Sequence, residues 1–445
     1  MNNVPRLLIF PYITKLRLKS RSRTEEFSVR SSFTDNSTHL IMSDNFIQSF
    51  EECLKSVSSD VFDSFQSLIY CKVVKEGEKD SSYYCSSIHR VEVQYLDNKS
   101  DVITTRFIVK VLPLGAKGDF LNKYGIFERE VYIYEKILPR MIELLTQIKD
   151  NNTKLAPNFV TKLSEPTSIV LEDLSFSGFK VPNRKVGLNT EQTLSVLGKM
   201  ARFHATSIKI NEMNPELMEK LKKTSIHEYL NSFSIFFAVG IASLGEVASN
   251  WSGFKEIAIK LKNLKSTIIE NTLHEYTKSS DGIKVLNHND LWTNNLMLKY
   301  DSNGKIIDST IIDYQFVYWG SPGIDLNFFM YTSVDNTLRK ESWNFLIHHY
   351  HKILTSTLRN MEVVTRIPTV ADIHNEIIQK GHIAVMASLL KGAVIIAPPD
   401  IVDIDVLVAD TPEGSSYREM LFSNPNYVEM IKPLLQEFYW MGYLD

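Results

Sequence analysis

Cysteine is scarce in this sequence. Cys53, Cys71 and Cys85 are its only three, and their spacing pairs them into no metal-ligand pattern, so the sequence indicates neither a disulfide framework nor a zinc site. The reduced cytosol is then the default compartment, and the expected localisation is cytoplasmic. An excess of one charge is also missing: the formal net charge is −3 and the isoelectric point about 6.4, which gives no overall basic field for nucleic acid or a membrane surface. Long apolar runs are absent. SFSIFFAVGIASLG is too short to span a bilayer, and HIAVMASLLKGAVIIAPP is broken by Lys391 and prolines, so both read as buried helices. No internal repeat or low-complexity linker appears.

What is present is enough for two well-buried lobes: 445 residues, 44% hydrophobic and 11% aromatic. The informative stretch is VLNHNDLWTNNLMLKY followed by TIIDYQFVYWGSPGIDL. VLNH reads as a short strand into a loop, NLMLKY as a strand out of it, Asn303-Gly304 as a hairpin turn, and KIIDSTIID as the return strand ending on Asp313. That arrangement sets Asn295 and Asp313 at strand ends facing one cleft, with Asp290 in the loop before Asn295. Singly such residues are turn formers and caps. Together they match what phosphoryl transfer requires, where the protein mainly places a hydroxyl, a triphosphate and magnesium in line. Asp290 can accept or orient the proton of an attacking hydroxyl. Asn295 and Asp313 offer the hard oxygen ligands that Mg²⁺ prefers, and His288 orients the loop.

An upstream half fits the same chemistry. In TTRFIVKVLP, Lys110 stands on an apolar strand, as the ATP-contacting lysine of a kinase third strand does. FEREVYIYEKILP reads as a helix with Phe127, Val131, Tyr134 and Ile137 or Leu138 on one face, ending at Pro139. Glu130 is the natural partner of Lys110, with Glu128 as the competitor. Between Gly77 and the strand IHRVEVQY lies a polar, turn-forming segment that reads as a hairpin over a nucleotide. It carries neither G-x-G-x-x-G nor G-x-x-x-x-G-K-[ST], so phosphate contacts would fall to backbone N–H groups and hydroxyls near Ser86. TSIVLEDLS reads as a strand leading into Glu172, Asp173 and Leu174, where a hinge could meet adenine; an acidic turn after a strand is the other reading. In LNTEQTLSVLGKMARFHATS, a long amphipathic helix, His204 reads as a hydrogen-bonded core histidine. His348, His349 and His351 cannot all face one ion from a helix and are not read as a metal site.

From about Asn45 onward these segments resemble the ecdysteroid kinase-like family, also called CHK kinase-like or juvenile hormone-inducible-like, within the choline kinase and aminoglycoside phosphotransferase group. The matching pieces are YYCSSIHRV, RFIVKVLP, FEREVYIYEKILP, IVLEDLSFSGFK, LGKMARFHATS, LNHNDLWTNNLML, IIDYQFVYWGSPGIDL and YREML. The resemblance implies an α+β, bilobal protein-kinase-like fold: an N-lobe antiparallel sheet plus helix over 45–170, then a hinge and a mostly helical C-lobe over 171–445 with its core at about 171–360. It implies ATP and Mg²⁺ as cofactors, Lys110 and Glu130 as the ion pair, Asp290 as the catalytic aspartate and Asn295 and Asp313 as magnesium ligands. Asp325 in GSPGIDL would brace the catalytic loop and Glu172 to Leu174 would form the hinge. His89 departs from the pattern, at a position where the family is expected to carry an aromatic residue.

The acceptor expected from the resemblance is a small hydrophobic alcohol, such as an ecdysteroid or a xenobiotic; neither nucleic acid nor a membrane span is expected. A protein acceptor is disfavoured, because the dozen residues between Asp313 and Asp325 leave no room for an activation loop and an A-P-E segment. Asn289 also replaces the arginine of H-R-D kinases. The rival from another class is a non-catalytic kinase-fold protein that binds a hydrophobic ligand or partner; the retention of Lys110, Asp290, Asn295 and Asp313 argues against it. Residues 1–44 form a basic extension with no acidic residue before Glu25. They read as a disordered or superfluous leader before MSDNFIQSFEECLKS, with a mitochondrial presequence as the alternative.

Overall fold

The computed structural model describes residues 44–56, 65–74, 86–222, 234–277, 282–396, 406–407 and 409–445. The expectations for the basic extension and for Gly77 lie outside them.

Alternation builds the first half. Helix α1 (Asp44–Ser56) precedes a sheet of β1 (Phe65–Val73), β2 (Ser87–Asp97), β3 (Val102–Val111), β4 (Phe159–Ser164) and β5 (Thr167–Glu172), ordered β1-β2-β3-β5-β4 and antiparallel throughout. On β2 and β3 the odd-numbered residues Val91, Val93, Phe107, Val109 and Val111 point to one face. There they pack with Val160 and Val170 under Phe46, Phe50 and Leu54 of α1. Lys110 and Ile108 therefore project from the opposite face, toward the rest of the molecule. Ile108 packs there against the main core, together with Ile169 and Leu171 of β5.

Between β3 and β4 the chain forms α2 (Ala116–Lys123), α3 (Ile126–Tyr132), one π-helical turn at Ile133–Ile137 and α4 (Leu138–Gln147). The sequence reading ends this helix at Pro139, and the structure corrects it: the helical path continues to Gln147. Pro139 sits in the first turn of α4, where its missing N–H costs nothing, and the wider π turn just before it accommodates the ring. That extra residue also turns both Ile133 and Tyr134 into the core.

The second half is largely helical. After β6 (Phe179–Lys180), α5 (Thr190–Met213) starts at a capping box, in which Asn189 Oδ1 accepts from the Gln192 amide and Gln192 Oε1 from the Asn189 amide, each at 3.0 Å. There follow α6 (Pro215–Lys222), α7 (Ser234–Ala248), α8 (Lys255–Leu264) and α9 (Ile268–Thr277). Next come β7 (Val285–Asn287), the hairpin of β8 (Leu296–Tyr300) and β9 (Ile306–Ile311), and β10 (Tyr318–Gly320). The chain closes with α10 (Gly323–Thr332), α11 (Asn336–Asn360), α12 (Val370–Ile378), α13 (Gly381–Ile396), α14 (Pro412–Phe422) and α15 (Pro425–Trp440). One continuous core joins Leu197 and Phe203 of α5, Leu286 of β7, Leu326 of α10, Tyr350 of α11 and Leu434 of α15. The two apolar segments noted in the sequence are α7 and α13, which bury Leu244 and Val385 completely. Among the described residues no helix is long and apolar enough to cross a membrane. The architecture is α+β, a five-stranded antiparallel sheet in front of a largely helical body.

Candidate active site

The site forms where the inner face of the sheet meets β7 to β10. Lys110 reaches from β3 and grips Glu130 of α3, with Nζ 2.8 Å from Oε1 and 2.7 Å from Oε2. The same ammonium lies 2.6 Å from Asp313 Oδ1. Lys110 and Glu130 are both buried, while the Asp313 side chain keeps about a quarter of its surface open, at 24%. Glu128, the competing partner, is exposed. Burial works against the charge on Lys110, but the adjoining Asp313 and Glu130 carboxylates outweigh it and hold its pKa above the ordinary lysine range.

Asp313 follows β9 with φ of 73°, a left-handed conformation that aspartate tolerates better than most residues. Its second oxygen accepts from Gln315 Nε2 at 3.0 Å. The next residue, Tyr314, is fully buried and donates its hydroxyl to Leu155 O at 2.8 Å, so the turn is fastened just after Asp313. Arg129 of α3 reaches Val317 O at 3.2 Å and ties the Glu130 helix to the same segment.

The loop between β7 and β8 holds the other residues. Because Leu296 of β8 pairs with Ile311 of β9, Asn295 and Asp313 come to neighbouring strand ends, and the Ile312 amide donates to Asn295 O at 3.0 Å. Asn295 Nδ2 donates to Asp290 twice, to its backbone oxygen at 2.8 Å and to Oδ2 at 3.0 Å. With its nitrogen spent on Asp290, Asn295 has its amide oxygen left for other work. His288 Nε2 meets Ile312 O at 3.0 Å, and its ring stands edge-on to Tyr314 with centroids 5.0 Å apart. Its Nδ1 is buried and has no hydrogen-bond partner among the described residues.

Asp325, fully buried at the start of α10, fastens this loop from behind. Its Oδ2 accepts from the His288 amide at 2.6 Å and its Oδ1 from the Asn289 amide at 2.7 Å. Its own amide donates to Asn287 Oδ1 at 3.2 Å. Behind Asp325, His204 Nε2 lies 3.1 Å from Oδ2 while His204 Nδ1 meets the Tyr350 hydroxyl at 2.7 Å. His204 is a core histidine, and its partner is the loop's anchor, a link that helix periodicity alone does not carry.

The segment expected to form a hinge is closely tied. Glu172 accepts from Lys154 Nζ at 2.5 Å and from the Asn158 amide at 3.1 Å. Asp173 lies 2.6 Å from Arg90 Nε and accepts from Ser175, and Leu174 is buried. The amides of Glu172 and Asp173 already donate to Asn158 O and Arg106 O. Ser86 is buried just ahead of β2. Lys110, Glu130, His288, Asp290, Asn295, Asp313 and Asp325 thus form one connected cluster, while Glu172 to Leu174 lie at the end of β5. Gln315, Tyr350 and Tyr276, whose hydroxyl reaches Asn289, belong to the surroundings of the cluster, and the two tyrosines carry no motif of their own. Gln315 alone had a signal, as the third residue of the D-Y-Q triplet.

The profile of the ecdysteroid kinase-like family matches residues 80–363, which contain every member of this cluster. No curated protein matches the chain. Among solved structures the chain is similar to an ethanolamine kinase from Plasmodium vivax at 14% identity, with 89% of this chain and 91% of that one covered and a TM-score of 0.40. It is similar to a glucosamine kinase at 10% identity, covering 89% and 87%, with a TM-score of 0.31.

Proposed function

The chain belongs to the ecdysteroid kinase-like family, and from that premise we propose that it is an ATP-dependent small-molecule kinase, transferring a phosphoryl group to a hydroxyl of a hydrophobic acceptor such as an ecdysteroid or a xenobiotic alcohol. The observation that carries this reading is the placement of one buried ammonium, Lys110, between Glu130 and Asp313, next to the Asp290–Asn295 pair.

Each residue has a role in this reading. Lys110, positioned by Glu130, meets the triphosphate, and Asp290 takes or orients the proton of the acceptor hydroxyl. Asn295 and Asp313 would hold magnesium. The donor set fits that ion: an amide oxygen and a partly open carboxylate are hard oxygen ligands, and Mg²⁺ needs only one or two carboxylates beside substrate phosphates and water. Magnesium would supply neutralisation of phosphate charge. His288 and Asp325 keep the loop in shape. Adenine would be met by the Leu174 amide at the hinge, since the Glu172 and Asp173 amides already donate to Asn158 O and Arg106 O and the Leu174 carbonyl accepts from the Ser177 and Phe179 amides. Ser86 stands at the phosphate end of β2. A sequestering protein would have no use for the Lys110–Asp313 contact, which supports catalysis over simple binding.

The test is ADP release from the full chain with Mg²⁺-ATP and a panel of steroid and non-steroid alcohols, beside Asp290→Asn. Acceptor-dependent release that falls at least about a hundredfold in the variant supports the reading. A folded wild-type protein that releases no ADP with any acceptor refutes it.

A further inference from the structure

No motif marks Tyr276, the penultimate residue of α9, yet its hydroxyl donates to Asn289 Oδ1 at 2.5 Å. Asn289 immediately precedes Asp290 and is held at φ of 64°, in the left-handed region. Two grips fix it from opposite sides. Its backbone N–H is taken by Asp325 and its side chain by Tyr276.

Tyr276 can serve as an anchor because α9 ends in a well-fastened turn. Its carbonyl accepts from the Tyr318 hydroxyl at 2.9 Å, and the two rings stand edge to face at 5.3 Å. The preceding Glu275 accepts from Lys380 Nζ at its carbonyl. The Glu275 carboxylate takes His382 Nδ1 at 2.6 Å and the His382 amide at 3.1 Å, at the start of α13. The tyrosine hydroxyl is therefore presented to the loop from elements tied to β10 and α13. Burial holds this phenol well above its ordinary pKa, so it remains a donor across the working pH range.

We infer that Tyr276 is a positioning residue for Asp290, acting through Asn289, so that this chain sets its catalytic loop constitutively with a hydrogen bond internal to the fold. This rests on the reading of Asp290 as the residue that handles the acceptor proton. In regulated protein kinases, ordering of the site depends on arginines that pair with a phosphorylated activation loop. Here the residue between His288 and Asp290 is an asparagine, and its partner is a half-buried tyrosine that needs no phosphate.

The experiment uses the full chain and three variants. Tyr276→Phe keeps the ring and its contact with Tyr318 and removes only the hydroxyl. Asn289→Gly removes the acceptor while glycine takes the positive φ without strain. The third variant combines both. Tyr276→Phe is expected to lower kcat about tenfold with KM for ATP unchanged, because small misplacements of a reacting group are costly whereas nucleotide contacts lie elsewhere. It should also speed amide hydrogen exchange several-fold in the peptide spanning residues 285–295 and leave the peptide spanning residues 87–111 unchanged. In the Asn289→Gly background the same change should produce no further loss. Additive losses, wild-type exchange at 285–295, or faster exchange throughout the sheet would each overturn the inference. If the wild-type protein releases no ADP, the kinase reading fails, and the exchange pattern still decides whether Tyr276 holds the loop.

Discussion

Lys110 Nζ lies 2.6 Å from Asp313 Oδ1 although 203 positions separate the two residues, and it simultaneously holds both oxygens of Glu130. One ammonium thus faces two carboxylates from different parts of the chain, and the trio carries a formal surplus of one negative charge. A site of that sign favours a second cation, in keeping with magnesium on Asp313 in the proposed function.

The trio makes its own stability prediction. Lys110→Met leaves Glu130 buried without its counter-ion, and breaking a buried pair in this way costs about 3–5 kcal/mol. Urea unfolding should register that loss, and Lys110→Met/Glu130→Gln should recover at least half of it because the stranded charge is gone. Turnover should recover in neither. Equal instability of the single and double variants would show that packing, and not the stranded carboxylate, sets the cost.

Asp325 offers a graded series. Asp325→Ala strips the acceptor from two buried amides, His288 and Asn289, and each unsatisfied donor costs about 1–3 kcal/mol. Asp325→Asn keeps one oxygen. The denaturation midpoint should therefore fall in the order wild type, Asn, Ala, and kcat should fall in the same order while the sheet stays folded by circular dichroism. An Asn variant as unstable as the Ala variant would mean that the amides find other acceptors.

Much of this site is legible in the sequence because it is built from short-range devices. The β8–β9 hairpin and the strand alternation around Lys110 follow from spacing, and they bring Asn295 and Asp313 to adjacent ends. The resemblance supplies Asp325 as a brace. What the sequence does not carry is contact between distant elements. Tyr276 meets Asn289 only because α9 docks on β10 and α13, and His204 meets Asp325 only through the packing of α5 against α10. The end of the Glu130 helix is misread for a local reason: Pro139 ordinarily stops a helix, but a π turn lets it open a new one. Neither the docking nor the π turn leaves a periodic trace.

Cys71, half-buried on β1, should be a poor nucleophile. Burial pushes its thiol up to about 11, against an ordinary value near 9.0. At pH 8 about one thiol in a thousand is then ionised in the folded protein, and alkylation by iodoacetamide should run far slower than in urea. Because the unfolded thiol ionises first, this residue removes stability as pH rises from about 9 toward about 11. Peptide-level mass spectrometry reads Cys71 separately from Cys53 and Cys85. Labelling of Cys71 at the unfolded rate in the native protein would contradict the shift.

Glu92 sets the acid limit of the sheet. The strand registers place it directly between Lys72 on β1 and Arg106 on β3. Its carboxylate lies 2.8 Å from Lys72 Nζ and accepts from Arg106 at 2.7 and 2.9 Å and from the Tyr70 hydroxyl at 3.1 Å. The hydrogen bond from Lys72, then that from Arg106, hold its pKa down at about 2, against an ordinary 4.5. A carboxyl depressed on folding contributes stability that is fully present above its unfolded pKa and disappears as pH falls from about 4.5 toward about 2. Glu92→Gln, which cannot ionise, should therefore be less stable than wild type at pH 6 and converge on it by pH 2 to 3. The row is cross-strand and open to solvent on the Lys72 side, so 0.5 M salt should shrink the difference at pH 6. Urea midpoints measured at pH 6, 4 and 3 decide the matter: a constant gap between the two proteins across that range would mean that Glu92 contributes by shape and neutral hydrogen bonding, with no charge held in the sheet.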